Sequence, residues 1–229
     1  MRENLISGTL SEKAGKRSKV SWIILVTLAI VIGIYPIFYL LEGFRSQGFL
    51  STKALNLRQS IQYLTVFYTH ITFGGLSLLI GWSQFSERFR RKYLQTHRSI
   101  GKVYVVSVLI SSLAGIAIAL FATGGSISVF GFEGLAICWL ISNIKAYTSI
   151  RNGRVQEHQD WMIRNYALTF AAVTLRLWLP FSQAALHMDF VDAYRIIAWL
   201  CWVPNLIVAE LIITRRKKAR QHRSSLQTA

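Results

Sequence analysis

The sequence predicts an all-α polytopic membrane protein with six transmembrane helices, spans two to five packing as a central four-helix bundle. Three observations lead there. Of the 229 residues, 52% are hydrophobic and only 16% are charged, whereas soluble domains carry about 25% charged residues. The apolar residues are gathered into long runs, each close to the roughly 20 residues that an α-helix needs to cross a bilayer. The segments between those runs alternate between strongly basic and weakly charged, the asymmetry that orients membrane helices. The net charge of +16 lies beside the apolar runs, so it reads as a topology signal and a contact for anionic headgroups, and nucleic acid is not an expected partner.

The chain divides into a basic cytoplasmic tail (residues 1–19), a six-span membrane domain (20–214) and a second basic cytoplasmic tail (215–229). The first span, Val20–Leu41, follows Lys13, Lys16, Arg17 and Lys19. It is longer than a signal-peptide core and lacks a small-residue cleavage site, so it is expected to remain as an anchor, with Pro36 near its outer end. The second, Ile61–Trp82, ends before the basic segment Glu87–Lys102. The third and fourth, Val103–Ala122 and Ile127–Tyr147, are joined by the turn Thr123-Gly124-Gly125-Ser126. The fifth, Trp161–Gln183, follows the basic segment Lys145–Arg164, and the sixth, Tyr194–Thr214, runs into Arg215-Arg216-Lys217-Lys218. Both termini are therefore expected on the cytoplasmic side of a bacterial inner membrane. Cys138 and Cys201 both fall in apolar runs and are expected as free thiols, with no cysteine-based metal motif.

Each inner span carries one face of small and polar residues, the pattern by which helices pack in lipid. On the second it is His70, Gly74, Ser77, Gly81 and Gln84; on the third His97, Gly101, Tyr104, Val108, Ser111 and Gly115. On the fourth it is Glu133, Ala136, Leu140, Asn143 and Tyr147; on the fifth His158, Met162, Asn165, Thr169, Ala172 and Arg176. Gln95-Thr96-His97 before span three and Gln156-Glu157-His158 before span five suggest two similar hairpins.

Two polar layers follow. At 1.5 Å per residue, His70, Glu133 and Arg176 lie roughly 14, 9 and 11 Å below the outer ends of their spans. An arginine in an apolar span costs about 2.5–3.5 kcal/mol on insertion scales, so it requires a partner or a watery cavity. The layer reads either as an outward-facing site for an anionic or redox-active ligand or as a Glu133–Arg176 ion pair bonded to His70. The inner layer sets His97 and His158 at equal depth beside Arg164, Lys145 and Gln84. That arrangement suits bis-imidazole ligation of a b-type haem, with basic groups for its propionates, or equally solvated histidines near headgroups. Glu210 is expected to pair with Arg215 or Arg216, and His222 belongs to the basic tail.

His70 with Gly74-Gly75 and Gly81 to Gln84-Phe85, His97-Arg98 with Gly101-Lys102-Val103-Tyr104, and His158 with Trp161-Met162, Arg164 and Tyr166-Ala167 through Arg176 resemble a family of bacterial predicted membrane proteins. That family is defined as a domain of unknown function (two-three-zero-six), and the resemblance covers spans two to five. A looser similarity connects these histidines to two-haem cytochrome b and ferric-reductase-like membrane proteins. This chain departs from that group in lacking four paired intramembrane histidines, and Gln159 follows His158 where a basic residue is expected.

Three functions remain open on the sequence. The first is a redox protein binding haem b or a quinone, with His97 and His158 as iron ligands, His70 as a second-site ligand, and Arg164, Arg176 and Glu133 as polar partners. The second is a small transporter or proton-coupled carrier working through His70, Glu133 and Arg176. The third is a non-catalytic membrane scaffold. Oligomeric state, substrate and electron donor have no signature in the chain.

Overall fold

The computed structural model describes residues 2–42 and 49–227, and among them there are helices and no strands. In chain order the helices are α1 (Arg2–Glu42), α2 (Leu55–Gln59), α3 (Ile61–Gly81), α4 (Glu87–Lys92), α5 (Leu94–Ala119), α6 (Ser126–Arg151), α7 (Val155–Thr169), α8 (Ala171–Ala185), α9 (Phe190–Leu200) and α10 (Val203–Gln227). Ser60 and Ser86 cap α3 and α4 by accepting hydrogen bonds from Tyr63 N and Phe89 N. The α5–α6 turn needs its two glycines, because Gly124 and Gly125 have φ of +101° and +72°.

Five stretches are long and apolar enough to cross a bilayer: Lys19–Leu41, Ile61–Phe85, Leu94–Ala119, Ser126–Arg151 and Phe190–His222. The expected span Trp161–Gln183 is not one of them, because its helix is interrupted at Phe170 between α7 and α8. The hydroxyls of Thr169 and Thr174 explain the break. Thr169 Oγ1 bonds the Asn165 carbonyl, and Thr174 Oγ1 reaches the carbonyls of Phe170, Ala171 and Cys201, competing with the helical ladder around that point. Phe170 itself keeps right-handed helical angles and its N–H bonds Tyr166 O at 2.8 Å, so the chain continues through a local irregularity.

The long helices run up and down, and their registers can be read pair by pair. Along α3 and α5, an added Cβ on Gly101 would meet Gln84 at 3.3 Å and one on Gly74 would meet Ser111 at 3.1 Å. Gly81 lies under the rings of Tyr104 and Tyr166, and Gly115 lies under His70. The polar faces expected on spans two and three therefore mesh as antiparallel partners. Gly33 and Gly75 let α1 lie against α3. Asn143 of α6 donates to Val105 O of α5 at 3.0 Å. The central four-helix arrangement of α3, α5, α6 and α7–α8 is closed by α3 packing on α7, with α1 outside α3 and α9–α10 outside α6 and α7.

The centre of the bundle is held by a polar staple. Tyr104 and Asn165 are both 0% exposed. The Tyr104 hydroxyl donates to Asn165 Oδ1 at 2.6 Å, and Trp139 Nε1 donates to Thr169 Oγ1 at 2.9 Å. Asn165 Nδ2 donates to the Trp139 carbonyl and to Ser142 Oγ. Satisfied groups of this kind fix helix register where an unpaired one would be costly. The face expected on α6 holds only in part: Ala136 and Asn143 turn inward, Tyr147 is exposed, and Trp139, Ser142, Ala146 and Ser149 fill the interface instead. The inward face of α6 is thus displaced by about one residue, roughly 100° round the axis, from the expected one.

Candidate functional site

A cavity of about 220 Å³ opens between α1, α3, α5, α6, α8 and α9, at the end of the bundle that carries the α5–α6 turn. Its polar lining includes Lys53, His70 and Arg176, with the tyrosines Tyr35, Tyr39, Tyr63 and Tyr194 around them. Among the described residues, none that lines it is a carboxylate.

Arg176 reaches it from α8. Its Nη1 donates to the Ala172 carbonyl one turn back at 2.9 Å, and its guanidinium sits 4.9 Å from the centroid of the Tyr35 ring on α1. Arg176 has no carboxylate partner among the described residues. His70 reaches it from α3, with Nδ1 2.9 Å from the carbonyl oxygen of Ser111 on α5. A carbonyl only accepts, so Nδ1 carries a proton, and Ser111 Oγ in turn donates to the His70 carbonyl at 2.8 Å. Lys53 arrives from the connection between α1 and α3. Its Nζ donates to Phe121 O at 2.7 Å and to Thr123 Oγ1 at 3.1 Å, which ties that connection to the end of α5. Lys53 is 7% exposed, and burial lowers its pKa to about 8.

The structure thus brings together two members of the expected outer layer, His70 and Arg176. Glu133 does not line the cavity. Its Oε1 is enclosed without a hydrogen-bond partner among the described residues, and the Glu133–Arg176 ion pair is not formed. On α6, Glu133 and Ala136 stand about 60° apart round the axis, and the cavity lies on the Ala136 side.

At the opposite end, His158 Nδ1 lies 2.9 Å from the Ala146 carbonyl, so its Nε2 is the ring nitrogen left to accept or ligate. His97 Nδ1 is enclosed with no hydrogen-bond partner among the described residues. Arg164 is committed elsewhere: its Nη2 donates to Glu210 Oε2 of α10 at 2.9 Å, its Nε bonds the other carboxylate oxygen, and its guanidinium packs 4.5 Å from the Trp161 ring. Glu210 therefore pairs with Arg164 rather than with Arg215 or Arg216, because α10 runs antiparallel to α7 and sets the two side by side. The same antiparallel register continues into the basic tail, where Arg216 donates to Gln159 and Arg220 bonds Asp160 at 3.2 Å. His187 and His222 are exposed. Cys138 and Cys201 are free thiols. Among the described residues, no group of three or more His, Cys, Asp or Glu side chains is placed to hold a metal ion.

Sequence reasoning missed Lys53 and the tyrosines. Lys53 lies in a connection whose path no periodicity sets, and Tyr35, Tyr39, Tyr63 and Tyr194 resemble ordinary interfacial aromatics until the helices are assembled.

A family model described as Predicted membrane protein (DUF2306) matches residues 67–213. Neither a curated protein nor a solved structure matches the sequence.

Proposed function

We infer that this chain, which belongs to the family described as Predicted membrane protein (DUF2306), binds a small amphipathic anion within the bilayer, with Arg176 as its counter-charge. The observation carrying this reading is the charge of Arg176: it lines the cavity, it has no carboxylate partner among the described residues, and no described residue lining the cavity is a carboxylate. A guanidinium held in an apolar span without an anionic partner is costly, and a bound anion relieves that cost. Aromatic and aliphatic walls suit a ligand with an apolar body. This is the carrier reading of the sequence with Glu133 left outside the site. On the positive-inside rule both termini face the cytoplasm, which puts the cavity in the outer half of the membrane.

The test uses the full chain in lipid nanodiscs and radiolabelled benzoate as the probe. Saturable binding that Arg176→Gln abolishes is the expected result. Binding unchanged by that substitution refutes the reading. Uptake of benzoate into proteoliposomes then separates a carrier from a binding protein.

The haem reading has one observation of its own, and it lies at the other end of the bundle. His158 is oriented by a backbone carbonyl on Nδ1, as such carbonyls orient metal-bound imidazoles, and His97 carries an enclosed nitrogen unpartnered among the described residues. Those two side chains would be the axial ligands of a b-type haem. The outer cavity does not suit that group, since His70 is its one histidine and 220 Å³ lies below even the roughly 300 Å³ at which drug-sized pockets begin. A dithionite-reduced minus oxidised spectrum of the purified protein decides, and a flat Soret region removes haem.

A further inference from the structure

We propose that the ligand is a single-ring aromatic acid bearing a ring hydroxyl, its carboxylate on Arg176 and its hydroxyl donating to Nε2 of His70. This rests on the anion reading above and adds the chemical class. Size sets the first limit. A dry cavity of about 150 Å³ holds benzene, so 220 Å³ takes one substituted ring and little more. The hydrogen-bonding inventory sets the second. Arg176 and Lys53 can only donate. Thr169 and Trp139, which also line the cavity, are bonded to each other in the polar staple. The hydroxyls of Tyr35, Tyr39, Tyr63 and Tyr194 can each donate or accept, and His70 differs from all of these in offering an acceptor alone. The Ser111 carbonyl holds the proton on Nδ1, so the neutral ring keeps its lone pair at Nε2, and Nε2 has no hydrogen bond to a described residue. The ring packs on Gly115, which also lines the cavity, and an added Cβ there would stand 3.1 Å from His70 Nδ1 and Cε1.

A cavity with donors for an anion and a separate imidazole acceptor favours a ligand that presents both complements. Benzoate satisfies Arg176 and leaves His70 Nε2 unpaired. A hydroxybenzoate satisfies both. The tyrosines supply edge and face contacts to an aromatic ring. His70 is then a specificity-determining residue: it selects the hydroxylated acid over the plain one.

Isothermal titration of the full chain in nanodiscs, with empty nanodiscs as the blank, compares benzoate with 3- and 4-hydroxybenzoate. The better hydroxylated isomer is expected to bind about tenfold more tightly than benzoate, the value of one net hydrogen bond. His70→Phe is expected to remove that preference while benzoate still binds. Equal affinity of the wild-type chain for all three acids overturns this inference and leaves the anion reading standing. Failure of all three to bind overturns both. Because the wild-type comparison is decisive alone, a His70→Phe chain that does not fold leaves the conclusion intact.

Discussion

Replacing Gly81 with alanine tests the packing on which the whole bundle depends. A Cβ built on Gly81 would stand 2.5 Å from Tyr166 Cε2 and 2.6 Å from Tyr104 Cε2. Ordinary carbon–carbon contacts are at about 3.5 Å or more, so each ring edge would have to retreat by about 1 Å. Neither ring is free to do so. The Tyr104 hydroxyl is bonded to Asn165 and Thr169, and the Tyr166 hydroxyl donates to the Leu78 carbonyl at 3.2 Å. Overpacking costs about 1–3 kcal/mol, and stretching a tyrosine hydrogen bond adds about 1 kcal/mol. The better helix propensity of alanine returns about 1 kcal/mol. The net expectation is a loss of about 1–3 kcal/mol, read from reversible unfolding in SDS–detergent mixtures. Tyr166→Phe releases the tether to Leu78, so Gly81→Ala should cost less in that background. A Gly81→Ala chain as stable as wild type would refute the rigid pairing of α3 with α5 and α7.

Other outcomes follow from the same geometry. Burial lowers the pKa of Lys53 from its ordinary 10.5 to about 8, so between those values the unfolded chain holds more protons than the folded one. Its contribution to stability therefore rises with pH through that window, and Lys53→Met should lack the rise in unfolding titrations at pH 7 to 10. Glu133→Gln should leave stability and benzoate binding within error of wild type, because its carboxylate pairs with no cation, whereas a carboxylate paired with Arg176 would make the substitution costly. Arg164 and Glu210 form a bidentate pair, with side chains 20% and 50% exposed, so a double-mutant cycle with Arg164→Ala and Glu210→Ala should give a coupling of about 0.5–1 kcal/mol, and additive effects would show that the pair contributes nothing.

The fold was legible because lipid imposes two patterns that need no tertiary information: apolar length and the small, polar face. His70, Gly74, Gly81 and Gln84 could be assigned to one face of span two from spacing alone, and each now meets the expected face of span three. Asn165 and Thr169 were legible as inward residues for the same reason, although the sequence did not say that they would be consumed by a structural staple with Tyr104 and Trp139. Span five was harder to read. The break at Phe170 keeps it apart from the five long apolar stretches, and the threonine contacts beside that break involve the carbonyl of Cys201, 27 residues beyond Thr174.

The site was only half legible, and the residue that marks the boundary is Glu133. Depth along a helix axis is linear in residue number, so His70, Glu133 and Arg176 could be ranked by depth without a structure. Direction around the axis turns by about 100° per residue, so placing the centre of a face one residue out moves its edge members off it. On α6 both Glu133 and Ala136 belong to the expected inward face, and of the two only Ala136 lines the cavity. The consequence reaches the chemistry. With Glu133 facing the cavity, Arg176 would be a neutralised staple; with Ala136 alone there, the arginine stands beside a void with no carboxylate partner among the described residues. The rotation of one helix thus converts a structural pair into a site that favours an anion, and Ala136→Glu reverses the conversion. That substitution should supply the missing carboxylate, abolish benzoate binding and leave the bundle folded. Benzoate binding that survives it would mean that the anion is held by something other than the unbalanced charge of Arg176.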